Sequence, residues 1–272
     1  SSGTTEYFTN AGEQISQGLT FTALYHIFRD IDRRLLWSVR VNGRTQKNEI
    51  NKIGDKLDAF NNNGRGSHTL RYFDGADPDD IWVIRSAGID PSTGKELFYT
   101  KDGKYTYDFS YDNEVVCGNT RPDLEGILGT SFTYKGFSLN LNFRYRLGAD
   151  VFNTALMNKV ENVNYYYNQD RRALYERWKN PGDITSFKNI RDVNQAYTPM
   201  TSRFIQTENS LTLESVHLQY EFMDGWIKRF GLGNLKIFAS MRDAFYLSSI
   251  RAERGTDYPY AKTIEAGLSL NF

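Results

Sequence analysis

The sequence predicts an all-β chain, a segment of a transmembrane antiparallel β-barrel with about nine strands, short turns at one end and long loops at the other. Three observations carry this. Apolar and polar residues alternate with period two in several stretches. The links between those stretches alternate between short and very long. Aromatic residues make up 15% of the chain, with 18 Tyr and 18 Phe. Period two puts one set of side chains on each face of a strand, and aromatic residues favour strands.

The cleanest stretch is 137–147. Phe137, Leu139, Leu141, Phe143, Tyr145 and Leu147 alternate with Ser138, Asn140, Asn142, Arg144 and Arg146. The last ten residues repeat it, with Ile264, Ala266, Leu268, Leu270 and Phe272 on one side. Leu35, Trp37, Val39 and Val41 form another such row. Leu235, Ile237, Ala239 and Met241 form a fourth, with Phe238 out of pattern on its polar side. Leu19, Phe21, Ala23, Tyr25 and Ile27 make a looser one. Between Leu213 and Val216 the apolar row changes parity. A one-residue bulge near Glu214-Ser215 restores a common face; two short strands with a break is the other reading.

Strands are therefore expected near 19–28, 35–46, 80–89, 95–107, 126–135, 137–149, 209–222, 234–246 and 262–272. The stretch 81–89 alternates poorly. Short links fall at 29–34, 90–94, 134–136 and, longer, 224–234; long ones at 47–79, 106–124, 150–208 and 247–261. Outer-membrane barrels have this asymmetry, with short periplasmic turns and long extracellular loops. Arg40, Arg144, Arg146 and Lys236 in mid-strand suit a face turned to a wet lumen. A soluble or surface-exposed all-β module, carbohydrate-binding for instance, also alternates, and is the competing class.

Composition bounds the rest. The chain has 272 residues, with 33 Lys+Arg against 33 Asp+Glu. A formal charge of zero gives no bulk attraction to nucleic acid or anionic lipid. The mean hydropathy of −0.58 is low, but a lipid-facing strand needs only every second residue apolar. No stretch nears the roughly 18 apolar residues of a spanning helix. Ser1-Ser2-Gly3-Thr4-Thr5-Glu6 has no signal-peptide character. With the odd strand count, that predicts an N-terminal part and earlier strands beyond this chain, which spans 1–272 as the C-terminal part of a barrel.

No catalytic constellation stands out, and the chain is expected not to be an enzyme. His26, His68 and His217 lack metal spacing, and the lone Cys117 has no nearby His. Asp74, Asp77, Asp79 and Asp80 cluster in a loop without the EF-hand pattern. No metal or cofactor is expected. The best candidate for ligand or partner contact is the loop 150–208, through Tyr165, Tyr166, Tyr175 and Trp178. Such aromatics stack on sugar faces or anchor a partner protein when exposed, and otherwise pack the loop on its neighbours. Tyr134, Tyr220 and Tyr246 near strand ends suit interfacial girdles.

Four stretches resemble the C-terminal barrel region of the SusC/RagA-like TonB-dependent outer-membrane receptors. They are Gly88-Ile89-Asp90-Pro91-Ser92-Thr93-Gly94 with Tyr99 and Asp102-Gly103; Gly118-Asn119-Thr120-Arg121-Pro122 leading to Tyr134-Lys135-Gly136-Phe137; Arg177-Trp178-Lys179-Asn180-Pro181-Gly182-Asp183; and Asp257-Tyr258-Pro259 before a terminal strand ending in Phe272. Cys117, Glu125 and the short 255–259 loop depart from the family pattern. The resemblance implies a nutrient importer of the outer membrane, taking up glycans or peptides with a SusD-like surface lipoprotein. It implies energy from TonB through a plug domain that this chain lacks. Phe272 would then act as the barrel-assembly signal. No nucleic-acid partner is implied.

Overall fold

The computed structural model describes residues 10, 12–163, 166, 168, 170–191, 198–222, 225, 227–251 and 262–271. Phe272, Tyr165 and the Asp257-Tyr258-Pro259 stretch lie outside the described residues. Twelve strands follow in order: β1 (Glu13–Asp30), β2 (Leu35–Asn51), β3 (Asp80–Ile84), β4 (Ser86–Ile89), β5 (Glu96–Tyr99), β6 (Tyr105–Thr106), β7 (Glu114–Asn119), β8 (Leu124–Tyr134), β9 (Phe137–Phe152), β10 (Ile205–Phe222), β11 (Asn234–Ser248) and β12 (Ile264–Asn271). Seven of them form one sheet, ordered β1-β2-β8-β9-β10-β11-β12. The β2–β8, β8–β9, β10–β11 and β11–β12 pairs are antiparallel. Among the described residues no helix is long and apolar enough to cross a membrane.

Two of the nine expected strands lie elsewhere. Segment 80–89 divides into β3 and β4, and 95–107 into β5 and β6. β3 pairs with β7, and β4-β5-β6 make a small sheet of their own. The reason is length and burial. Five residues of β3 span about 17 Å at ~3.3 Å each, short of the roughly 25 Å apolar band of a barrel. β3 is also buried on both sides, with Ile81, Val83 and Ile84 at 0–1% exposure, so no alternation is left to see. Removing this pair takes out one short link, Asp90–Gly94, and the long and short connections of the sheet still alternate.

The chain divides into two compact units. The first comprises 18–45, 122–149 and 207–272 and contains most of the seven-stranded sheet. Register explains its faces. Trp37, Phe132 and Leu139 stand opposite one another, as do Val41, Leu128 and Phe143. On the other face Arg44, Glu125 and Arg146 are in register. Arg44 Nε donates to Glu125 at 2.7 Å, and Arg146 approaches its other oxygen at 3.9 Å. Glu125 thus serves as the acid of a cross-strand Arg–Glu–Arg ladder. Further along, Arg144 pairs with Glu214 at 2.6 Å and Lys236 with Glu221 at 3.7 Å.

The bulge falls where the parity change predicted it. The register of β10 on β11 shifts between Leu213 and Ser215. Glu214 reaches Arg144, while Ser215 accepts from Asn142 at 2.9 Å. Two consecutive residues therefore meet two alternate residues of one β9 face, as a bulge requires. Phe238, the exception in its row, stands opposite Gly267, whose missing side chain leaves room for the ring. It packs 5.9 Å from His217.

The apolar face is uncovered. Leu128, Leu218, Ile237 and Leu268 are 38–57% exposed. In water such a continuous face would be a liability; in hydrocarbon it is the required one. Aromatic rings gather near the short turns: Phe28 stacks on Trp37 at 6.1 Å, Trp37 meets Phe132 at 6.5 Å, and Phe132 meets Phe137 at 6.4 Å. Tyr134 and Tyr220 are exposed near the same strand ends, whereas Tyr246 lies toward the other end of β11.

One crossing point has no room to spare. Gly43 and Gly126 stand opposite each other, with Tyr145 next in register. The Tyr145 hydroxyl donates to the Asn42 carbonyl at 2.7 Å, so the phenol lies across both glycines. A Cβ on Gly126 would meet that carbonyl and that hydroxyl. Gly126→Val is expected to abolish the compact form that unboiled barrels show on a denaturing gel. A normal mobility shift on boiling would contradict this.

Candidate functional site

The second unit comprises 1–17, 46–121 and 150–206. It holds the two small sheets and the loop that carries the predicted contact residues. Short helical pieces interrupt the connections of this unit: α1 (Asp58–Asn63) precedes β3, while α2 (Thr154–Leu156), a π-helical turn Met157–Glu161 and α3 (Arg172–Tyr175) follow β9. A small core of Met157, Val160, Ala173, Phe187 and Phe204 gathers the last three.

Buried charges fix the arrangement of this unit alongside its apolar core. Arg203 lies between two carboxylates that are fully buried. Its Nε and Nη2 donate to Glu96 at 2.9 and 2.8 Å, and Nη2 also reaches Glu161 at 2.9 Å. Nη1 donates to the Ser186 carbonyl at 2.6 Å. Burial works against the charge on Arg203, but Glu96 and then Glu161 outweigh it and hold its pKa above the ordinary arginine value. Thr198 Oγ1 donates to Glu161 at 3.1 Å. Arg177, 5% exposed, donates to the carbonyls of Ala173, Lys188, Val160 and Glu161 at 2.7–3.1 Å. One guanidinium thus ties three turns of loop together through their backbone.

Two of the sequence motifs interlock. In Asp90-Pro91-Ser92-Thr93-Gly94 the Asp90 carboxylate accepts from Ser92 N and Oγ, Thr93 Oγ1 and Tyr107 Oη at 2.6–2.9 Å. In the Arg177–Asp183 motif, Trp178 Nε1 and Gly182 N both donate to the Pro91 carbonyl at 2.8 Å. Gly94, at φ +70°, has the Trp178 ring where a side chain would be. A glycine is required there twice over, by conformation and by space.

The predicted contact residues separate. Trp178 is 7% exposed and forms part of this interlock. Tyr175 is 66% exposed, with Arg171 over its ring at 5.2 Å and Lys179 at 5.8 Å. Tyr166 is 93% exposed. Leu174 and Ile184, at 60% and 91%, add apolar surface. The sequence had not pointed to Glu96, Glu161 or Arg203, because charged residues far apart in a chain read as solvated. Their pairing spans up to 107 residues.

The acidic cluster is committed to hydrogen bonds. Asp74 accepts from Ile53 N and Gly54 N, Asp77 from Asn48 N and Asp79 N, and Asp80 from Asp77 N and Asn119 Nδ2. Asp79 pairs with Arg121. Among the described residues no group of three His, Cys, Asp or Glu is arranged to hold a metal. The Cys117 thiol has its pKa raised by burial, which keeps it in the unreactive protonated form.

In-register strands with an uncovered apolar face and a charged opposite face make this chain part of a transmembrane β-barrel. No family model matches it. A TonB-dependent receptor of Formosa agariphila, P39, is 26% identical over 213 residues, covering 71% of this chain and 20% of that protein. A chain in the structure of the RagAB peptide transporter superposes with a TM-score of 0.76 at 18% identity, over 100% of this chain and 31% of that one. The RagAB peptide importer in its open-open state gives 0.74 at 19%, over 96% and 29%. The chain therefore spans a fifth of its curated relative and under a third of the transporter chain. The resemblance read from the motifs agrees with both likenesses, and the fold is that of the TonB-dependent barrel receptors.

Two predictions concern this unit. Glu96→Ala leaves Arg203 buried with one partner fewer, which is expected to cost about 3–5 kcal/mol of local stability. Limited proteolysis should then cut within 150–208 at protease levels that spare the unsubstituted protein; unchanged protection would refute the clamp. The second concerns pH. Hydrogen bonds from Tyr107, then Ser92 and Thr93, hold Asp90 well below the ordinary carboxylate value of 3.8. Its contribution is therefore present above that value and lost only as pH falls through the lower folded one. Tyr107→Phe should move acid loosening of the 90–94 turn to higher pH, followed by proteolysis across a pH series.

Proposed function

We propose that this chain is the C-terminal part of the barrel of an outer-membrane, TonB-dependent nutrient importer of the SusC/RagA kind. It supplies barrel wall, lumen lining and extracellular loops. The observation that carries this reading is the sheet itself, with its bare apolar side, its Arg–Glu–Arg ladder on the other side, and long links at only one end of the strands. The RagAB likeness favours peptides over glycans as cargo. The chemistry is binding and shape, and no bond is made or broken.

A SusD-like lipoprotein is the expected surface partner, and TonB acts through the N-terminal part of the parent protein. Tyr166 and Tyr175 offer the contact surface of the 150–208 loop, while the buried Trp178 fastens the same loop to Pro91. An exposed Tyr175 ring flanked by Arg171 and Lys179 suits a partner or ligand with apolar groups and carboxylates. A soluble carbohydrate-binding module would have to cover the apolar face that this sheet leaves open.

Cell fractionation tests the reading. The parent protein is expected in the outer membrane, shifting mobility on boiling, and its deletion is expected to end growth on peptides as sole amino-acid source. A parent found soluble, or this chain alone folding cooperatively as a monomer in buffer, would sink it.

A further inference from the structure

The second unit contains a partly open cavity of about 190 Å³ that neither motif reaches. It lies between α1, β3 and the start of β7. Phe73 and Trp82 form an aromatic wall, their rings 5.2 Å apart. Arg71, 2% exposed, also lines it, but its charge is spent on Glu114 through a two-pronged pair of 3.0 and 2.8 Å. Arg65 pairs loosely with Asp112 at 3.4 Å. Two charges remain at the lining. Asp58 and Lys101, both exposed to solvent at its mouth, have no ion pair among the described residues, and none joins them to each other.

Opposite charges that line one cavity without pairing are complementary to a ligand carrying both. A neutral sugar could hydrogen-bond both groups through its hydroxyls but would neutralise neither charge. A simple anion would meet Asp58, and a simple cation Lys101. The volume also discriminates. Pockets for drug-sized ligands run from about 300 Å³ upward, so this one suits a single residue-sized group. The aromatic wall asks for that group to be apolar on one side.

We propose that this cavity binds a small zwitterion with an apolar side group, an amino acid or a very short free peptide. Its ammonium would lie toward Asp58, its carboxylate toward Lys101, and its side chain against Phe73 and Trp82. This rests on the peptide-importer reading only for its biological sense; the binding itself does not depend on transport.

The test is calorimetric titration of the purified full-length receptor in detergent, with L-phenylalanine as probe. N-acetyl-phenylalanine, phenylalanine amide and glucose serve as comparisons. Phenylalanine is expected to bind at millimolar concentration or below. Each blocked derivative, and Asp58→Asn or Lys101→Met with the free amino acid, should weaken binding by about tenfold, the effect of losing one charged hydrogen bond. Boiling-dependent gel mobility confirms that the variants fold. Equal binding of the blocked forms, preference for glucose, or no binding of phenylalanine overturns the proposal. Peptide uptake by cells is measured separately. Uptake without phenylalanine binding removes this site and leaves the importer; binding without uptake does the reverse.

Discussion

Cross-strand register is the constraint on which the rest of the sheet depends. Leu35, Trp37, Val39 and Val41 face lipid only because β2 meets β8, and β8 meets β9, without a slip. A shift of one residue would carry Arg44, Glu125 and Arg146 to the apolar side and strand three charges in hydrocarbon. The ladder on the polar face therefore fixes the phase of the apolar one. Tyr145 laid over Gly43 and Gly126 adds a second pin. Where the pattern has to change, at Glu214-Ser215, a bulge takes up the extra residue.

The second unit works under other rules. Its strands are short, and its core is a handful of apolar residues. It compensates by burying charges that cancel: Arg203 against Glu96 and Glu161, and Arg177 against backbone carbonyls. Buried ion pairs seldom add much net stability, because desolvation offsets attraction. Their effect is on uniqueness. A guanidinium with five directional donors accepts few arrangements of the loop around it.

This difference explains what was legible in the sequence. The seven long strands announce themselves, since lipid on one side and water on the other write a period of two into Phe137–Leu147 and Ile264–Asn271. The bulge was visible as a change of parity. The two misplaced strands were not, because burial on both faces erases the period in Ile81–Ile84, and four residues at Glu96–Tyr99 are too few to establish one. At the candidate site the motif residues were found but not their roles. Trp178 reads as a surface aromatic until Pro91 and Gly94 are seen beside it, and no local signal marks Glu96 and Arg203 as partners.

The Arg177–Trp178 pair divides its neighbourhood by tolerance to change. Both side chains point inward and are held by backbone atoms, namely four carbonyls for Arg177 and that of Pro91 for Trp178. A backbone carbonyl is present whatever residue bears it. Replacing Tyr175, Lys179 or Ile184, all exposed within a few residues, removes nothing that the clasp uses. Such a loop can diversify its outer surface, and with it the set of molecules it meets, while keeping its shape. In evolutionary terms the anchor is cheap to keep and the tip is free to explore.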